Sequence, residues 1–337
     1  MSDISYKSIF KILSVVALIM LLSRIIDILI ILFISVIIVS AIKPLIYQLD
    51  KFNIPKNIAI MVIVFGFVGS LSVMLYIGAS PLVSEITYFV VHFGDFVDKI
   101  SKNYNISIPN QTETLTIVKN SLGSIPSQLG DTSKQLIGIG SGLMTAMLST
   151  LALIVLTFYQ LAQENKIRDF VASWFGHNSD KAKVIINRSE KKLGAWLRGQ
   201  LSLMVFIGLI TYCFLSFIGF KEPTIGKFAL PLALIAGIFE IIPVLGPTLA
   251  LIPALFVGAS VSPVMALVIL GVYLGIQQVE SNYVIPKVMN KAVGLDPILV
   301  ILGIMIGNNL MGAIGSLLSV PLMAVGSVLY DEFKNKG

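Results

Sequence analysis

An all-α fold, a polytopic bundle of membrane-spanning helices, is what this 337-residue chain predicts, and three observations predict it. Only 12% of its residues are charged, whereas a soluble globular domain carries roughly 25%. The hydrophobic share is 56% and the mean hydropathy +0.91, so water cannot be the solvent for most of the surface. Several apolar runs also reach the ~20 residues that a bilayer-crossing helix needs. The lipid bilayer is therefore the first partner the sequence implies.

The elements follow in order. Lys7 and Lys11 precede the apolar run 12–22 and imitate a signal peptide, but no small-residue cleavage site follows. The segment reads as an uncleaved first span. Residues 9–22 and 25–42 are split by SRIID (23–27), which fits a closely spaced helix pair; one long tilted helix is the alternative. Arg24 and Asp27 stand at i, i+3, either as an interfacial turn or as a buried functional pair. A third span covers 57–80, a fourth 136–162 and a fifth 201–219, followed by shorter apolar segments at 228–242, 247–260, 263–283, 297–310 and 313–330.

Two polar stretches interrupt the spans. In 82–135, Val83, Ile86, Val90, Phe93, Val97 and Ile100 repeat at helical spacing, as do Leu115, Val118, Leu122, Ile125 and Leu129. The polar linker 103–114 joins them, which predicts an antiparallel helical hairpin. Its four lysines against five acids leave −1, whereas 163–198 holds eight basic and four acidic side chains, a net +4. The positive-inside rule places 163–198 and the loop 43–56 in the cytoplasm and the hairpin outside. The expected organisation is N-terminal spans (1–80), an extracytoplasmic insert (81–135), a further span (136–162), a cytoplasmic amphipathic segment (163–200) and a C-terminal core (201–337).

The net charge of +6 does not point to nucleic acid, because no basic run is interleaved with aromatics. A single cysteine, Cys213, excludes an intrachain disulfide and a cysteine-built metal cluster. The two histidines, His92 and His177, stand in different polar stretches, so neither a metal site nor a cofactor is expected. A Walker A pattern is absent, which leaves an ion gradient as the energy source for any pumping. An enzyme is disfavoured, since no Ser/His or His/Glu zinc arrangement lies within a span.

Chemistry concentrates where the late spans are broken. Around FEIIPVLGPTLALIPALF (239–256), residues 228–260 form two arms of about a dozen residues that meet at 242–247, and at ~1.5 Å per residue neither crosses ~30 Å of hydrocarbon. Pro243 removes a backbone donor, Gly246 permits a sharp turn and Pro247 suits the start of a new helix. Glu240 stands just before the break, where a carboxylate is expensive unless paired, hydrated or protonated. A re-entrant hairpin facing a pathway is the expectation, with one kinked helix as the alternative. Gln277, Gln278, Glu280 and Asn282 form a second cluster, with Gln277 and Glu280 on one face and Gln278 and Asn282 on another. Termination at the cytoplasmic interface is its competing explanation, and Glu280 is expected nearer that interface, orienting Lys287 or the neighbouring amides. Asn308 and Asn309, inside IGNNLMGAIG (306–315), mark a second broken hairpin over 297–330.

At these residues the chain resembles the AI-2E family of bacterial membrane proteins, the autoinducer-2 exporter-like or PerM-like group. The matching pieces are FYQLAQE (158–164), LRGQ (197–200), EIIPVLGP (240–247), QQVESNYVIPKVMNKAVGLDP (277–297) and MGAIGSLLSVPLMAV (311–325). They add Arg198 and Gln200 as secondary candidates beside Arg24 and Asp27. The resemblance implies a multi-pass transporter of the bacterial inner membrane, homo-oligomeric, that exports a small polar solute such as autoinducer-2. It equally implies the Na+(Li+)/H+ antiport of some members, with Glu240 and Glu280 binding proton and Na+ in turn. A membrane scaffold that transports nothing is the third reading.

Overall fold

The computed structural model describes residues 6–67, 69, 70, 73, 132–242, 245–285, 287 and 294–334. The expected insert (81–135) falls outside them apart from its last four residues, as does Pro243. All regular structure among the described residues is helical.

Helix α1 runs unbroken over Tyr6–Asp50, so SRIID does not turn the chain as a helix pair required. Between positions 6 and 43 there is neither proline nor glycine, and polar side chains alone do not end a helix. Arg24 and Asp27 are exposed on it. Helices α2 (Lys56–Phe67) and α3 (Thr132–Ala162) follow, and α3 bends by 87° at Gln163 into α4 (Glu164–Ser173). After a 3-10 turn at Gly176–Asn178 comes α5 (Ser179–Gly219), a single helix that joins the polar 179–200 to the apolar 201–219. No proline lies within it, so the change of composition changes its partners and not its backbone.

The C-terminal part contains α6 (Pro223–Phe239), α7 (Leu245–Val261), α8 (Pro263–Val279) and α9 (Pro297–Lys334). Pro223 and Pro263 occupy first-turn positions, where a missing N–H costs nothing. Ser262 caps α8 by accepting the Met265 amide at 3.1 Å. The last turn of α8 widens into a π turn at Glu280–Val284.

Helix α5 is the hub, packing against α6 above all and also against α1, α4, α8 and α9. Its seam with α6 is built on glycine. A Cβ on Gly219 would stand 2.5 Å from the Gly226 Cα, and one on Gly237 would stand 2.8 Å from the Met204 carbonyl oxygen. These pairings run in opposite directions along the two helices, so α5 and α6 are antiparallel at close backbone approach. Lipid tails are as apolar as leucine, and packing of this kind is what associates helices in a bilayer. Leu215, Leu232, Ala254 and Ile269 carry the resulting core through α5, α6, α7 and α8. A second core joins α1, α5 and α9 around Ile37, Trp196 and Ala324, and a third joins α1, α2 and α3 around Ile46, Ile60 and Leu161.

Both breaks expected in the late spans are present. Between α6 and α7 the chain turns through Glu240–Ile242, and a Cβ on Gly246 would run into the Phe239 carbonyl. The Gly246 amide donates to the Ile242 carbonyl at 2.8 Å. These are two helices and not one kinked helix, and each has 17 residues, somewhat longer than the sequence pattern suggests. In α9, Met311 and Gly312 leave helical geometry, Gly312 with φ +60°. A Cβ on Gly307 would strike the Gly315 carbonyl, although eight residues of straight helix span ~12 Å. The chain therefore folds back on itself at Met311–Gly312.

Candidate functional site

The antiparallel path of α5 and α6 brings Gln200 level with Glu240. The Gln200 side-chain amide donates to the Glu240 backbone carbonyl, at the C-terminal end of α6. The Glu240 side chain turns toward α8, where it meets the carboxyl group of Glu280 within hydrogen-bonding reach. Both glutamates are buried, at 1% and 3% exposure. Glu280 is thus turned into the protein and not toward Lys287, which is exposed. Helical spacing is the cause: Ile269, Tyr273, Ile276 and Glu280 follow one another at four, three and four residues and so share the buried face of α8.

The chemistry of this pocket is one-sided. Glu240 Oε2, Glu280 Oε2 and Gln200 Oε1 are all buried without a hydrogen-bond partner among the described residues, and each is an acceptor. Two carboxyl groups held together away from water require a positive partner, a proton or a cation. The Tyr273 hydroxyl, two turns before Glu280 on α8, is likewise buried and unpartnered. Gly246 packs against this turn: a Cβ there would stand 2.9 Å from the Glu240 Cα, so only glycine lets α7 start this close to the Glu240 backbone. Pro247 lies in the first turn of α7, as its missing donor permits.

The other sequence candidates separate from this pair. Gln277 is half-buried, and exposed Asn282 donates to Gln278 at 3.2 Å on the outer face, as the i, i+4 spacing predicts. Asn308 and Asn309 lie at the exposed tip of the α9 hairpin. Asn308 accepts a 3.4 Å hydrogen bond from Ser316 across that hairpin. None of the hydrogen bonds among the described residues joins the asparagines to Glu240 or Glu280. Arg198 and Gln200 sit two residues apart and so face different neighbours. The Arg198 guanidinium donates to the carbonyls of Ser40 and Ala41 on α1, at 3.4 and 3.3 Å.

Beside Arg198 lies a second polar feature that the sequence pattern did not reveal. Lys43 bridges Glu164 at 3.0 Å and Glu190 at 2.6 Å, which ties α1 to the α3–α4 bend and to α5. A cleft of about 500 Å³ opens there, lined by Lys43, Tyr47, Asn187, Lys191 and Arg198 among others. A charge residing near a helix end and two acids spread over distant segments gave no local pattern to read. Among the described residues no group of three or more potential ligands could hold a metal ion.

Long apolar helices, short helical hairpins turned at glycine and a carboxylate pair buried between them define a polytopic helical membrane protein. The chain belongs to the AI-2E family of transporters, whose family model matches residues 10–335. Relatives that carry the name "Putative transport protein" include YrrI of Bacillus subtilis, 24% identical over 90% of this chain and 85% of its own length. YueF of the same organism is 26% identical over 84% of this chain and 78% of its own. YhhT of Escherichia coli is 21% identical over 91% and 85%.

Proposed function

We propose that this protein is a secondary transporter of the bacterial inner membrane that exports a small polar solute, of which autoinducer-2 is an example, at the expense of an ion gradient. Glu240 and Glu280 are the coupling site, with Gln200 as its third polar member. One observation carries the proposal: buried acceptors with no donor among them, placed at the turn of a broken helix pair. A proton or Na+ completes such a set, and its departure leaves two facing charges that the surrounding helices must separate or hydrate. That is the link between ion occupancy and conformation on which secondary transport depends. Copies of the chain work as a homo-oligomer, as the family resemblance implies.

The test is flux into reconstituted vesicles from a panel of small polar solutes, with and without an imposed proton or sodium gradient. Gradient-dependent uptake that Glu240→Gln cuts at least about tenfold supports the proposal. Flux indifferent to every gradient would discard ion coupling, and no flux of any solute would leave the scaffold reading.

A second reading, Na+(Li+)/H+ antiport, draws on the same three oxygens, since carboxylate and carbonyl oxygens suit hard cations. It predicts that sodium alone moves protons. A pH change in the vesicle lumen on adding sodium, with no organic solute present, separates it from solute export.

A further inference from the structure

Helix α4 carries a face that the transport site does not use. Ile167, Phe170 and Trp174 stand at i, i+3 and i+7 on one side, exposed at 38%, 61% and 71%. The buried Ala172 occupies the opposite side of the helix, in the packing against α5. The Phe170 and Trp174 rings meet edge to face at 5.3 Å, so the aromatic part is a preformed ridge and not scattered side chains.

The setting of this ridge decides what covers it. Helix α4 begins one residue after α3 ends, at the end of a long apolar helix, and it leaves at 87°. With α3 along the bilayer normal, α4 lies in the membrane plane at the level where the hydrocarbon stops. Four of its ten residues are charged, Glu164, Lys166, Arg168 and Asp169, too many for the hydrocarbon. Its outer face is too apolar for open water. Both acids are paired with lysines from other elements, Glu164 with Lys43, which it shares with Glu190, and Asp169 with Lys183, each at 3.0 Å. Among the described residues Lys166, which flanks Phe170 at i, i+4, has no acidic partner, whereas Arg168 turns to the α5 side, held by the side chains of Asn165 and Asn187. An apolar aromatic ridge flanked by an unpaired lysine matches the headgroup layer of an anionic membrane.

We infer that α4 is an in-plane membrane anchor, its Ile167–Phe170–Trp174 ridge bedded among acidic phospholipid headgroups with Lys166 against their phosphates. Clamped by Lys43 at the α3–α4 bend, the anchor ties the cytoplasmic half of α5 to the bilayer surface.

The chain has two tryptophans, and the other, Trp196, is buried. Full-length Trp196→Phe protein in vesicles therefore reports on Trp174 alone. In phosphatidylcholine vesicles containing phosphatidylglycerol, lipids brominated near the glycerol should quench Trp174 more than lipids brominated near the chain end. Aqueous iodide should quench it little, and Lys166→Glu should weaken the bromolipid quenching. Strong iodide quenching without bromolipid quenching overturns the anchor, because the ridge then stands in water. Protection from both quenchers also overturns it, because a second protein surface then covers the ridge. If Trp196→Phe does not fold, a nitroxide on Phe170→Cys in a Cys213→Ser background gives the same decision. Relaxation by oxygen exceeding relaxation by a soluble nickel chelate supports the anchor, and the reverse order rejects it.

Discussion

Glu240 and Glu280 stand on different helices, yet their carboxyl groups meet within hydrogen-bonding reach, both buried. Helices α7 and α8 between them form an outward and return path, packed at Gly258 against Ala266, which delivers Glu280 back to the level of the α6–α7 turn. Nothing else among the described residues offers the two side-chain oxygens that remain free a donor. The proposed proton or cation would supply the partner that the pair lacks among the described residues.

Replacement of Glu240 by glutamine keeps the shape and removes the charge. A hydrogen bond to a charged group is worth about 1.5–3 kcal/mol, so gradient-driven flux should fall by about tenfold to a hundredfold. Expression, membrane insertion and thermal midpoint should stay near wild type. Equal flux in wild type and Glu240→Gln across a pH series would mean that Glu240 is structural.

Glu280→Gln should cost about as much flux as Glu240→Gln, because each supplies half of one site. The double variant should be little worse than either single one, since residues that act as a unit are non-additive. Vesicle flux for the four proteins of this cycle checks it. Losses that multiply would mean two independent roles.

Much of this was readable from composition and spacing, and the limits have physical causes. Proline and glycine at 243–247, and Asn-Asn before Gly312, announce backbone breaks because they change what the local chain can do. Glu240 announced itself by its cost among apolar neighbours. Its partnership with Glu280 did not, because the contact depends on how three helices return. Gln200 ranked as secondary for a related reason: one amide in LRGQ gives no hint that it reaches a carbonyl forty residues on. The glycine seam did leave a trace. Gly208 and Gly219, like Gly226 and Gly237, are eleven residues apart, three helical turns that align them on one face. SRIID misled because charged residues suggested a turn where no backbone breaker was present.

Gln200→Ala should destabilise the protein without touching a carboxyl group. It strands the buried Glu240 carbonyl, and an unsatisfied group of this kind costs about 1–3 kcal/mol. A lower thermal midpoint in detergent, partly restored in Gln200→Asn if the shorter amide still reaches, is the expected result. An unchanged midpoint would mean that water replaces the amide at no cost.

The glycine seam makes a sharper contrast. Gly219→Ala would place its Cβ against the Gly226 Cα at 2.5 Å, backbone against backbone, and the two helices must part. Such overpacking costs about 1–3 kcal/mol. On α8, Gly271 has nothing within 4 Å of an added Cβ, and alanine there should be neutral or stabilising by up to about 1 kcal/mol through helix propensity. Thermal midpoints of the two variants should move in opposite directions.

The last prediction concerns the hairpin tips, where fold and function meet. The turn at Ile242 and the fold-back at Met311–Gly312 interrupt the regular helix. Irregular backbone at membrane depth survives only where protein or water covers it. Met311 is exposed and Ile242 half-buried, whereas Ala236 and Ala250 on the adjoining arms are buried in the core. Single cysteines at 242 and 311, in a Cys213→Ser background, should therefore react with small charged thiol reagents in intact membranes. Cysteines at 236 and 250 should stay silent. If a water-filled route joins the α6–α7 turn to the carboxylates, a reagent bound at 242 should also block flux, whereas one at 311, on the hairpin that packs against α5, should slow it less. Silence at both tips would place them against lipid or a neighbouring subunit, and the carboxylate pair would then have no aqueous access through this turn.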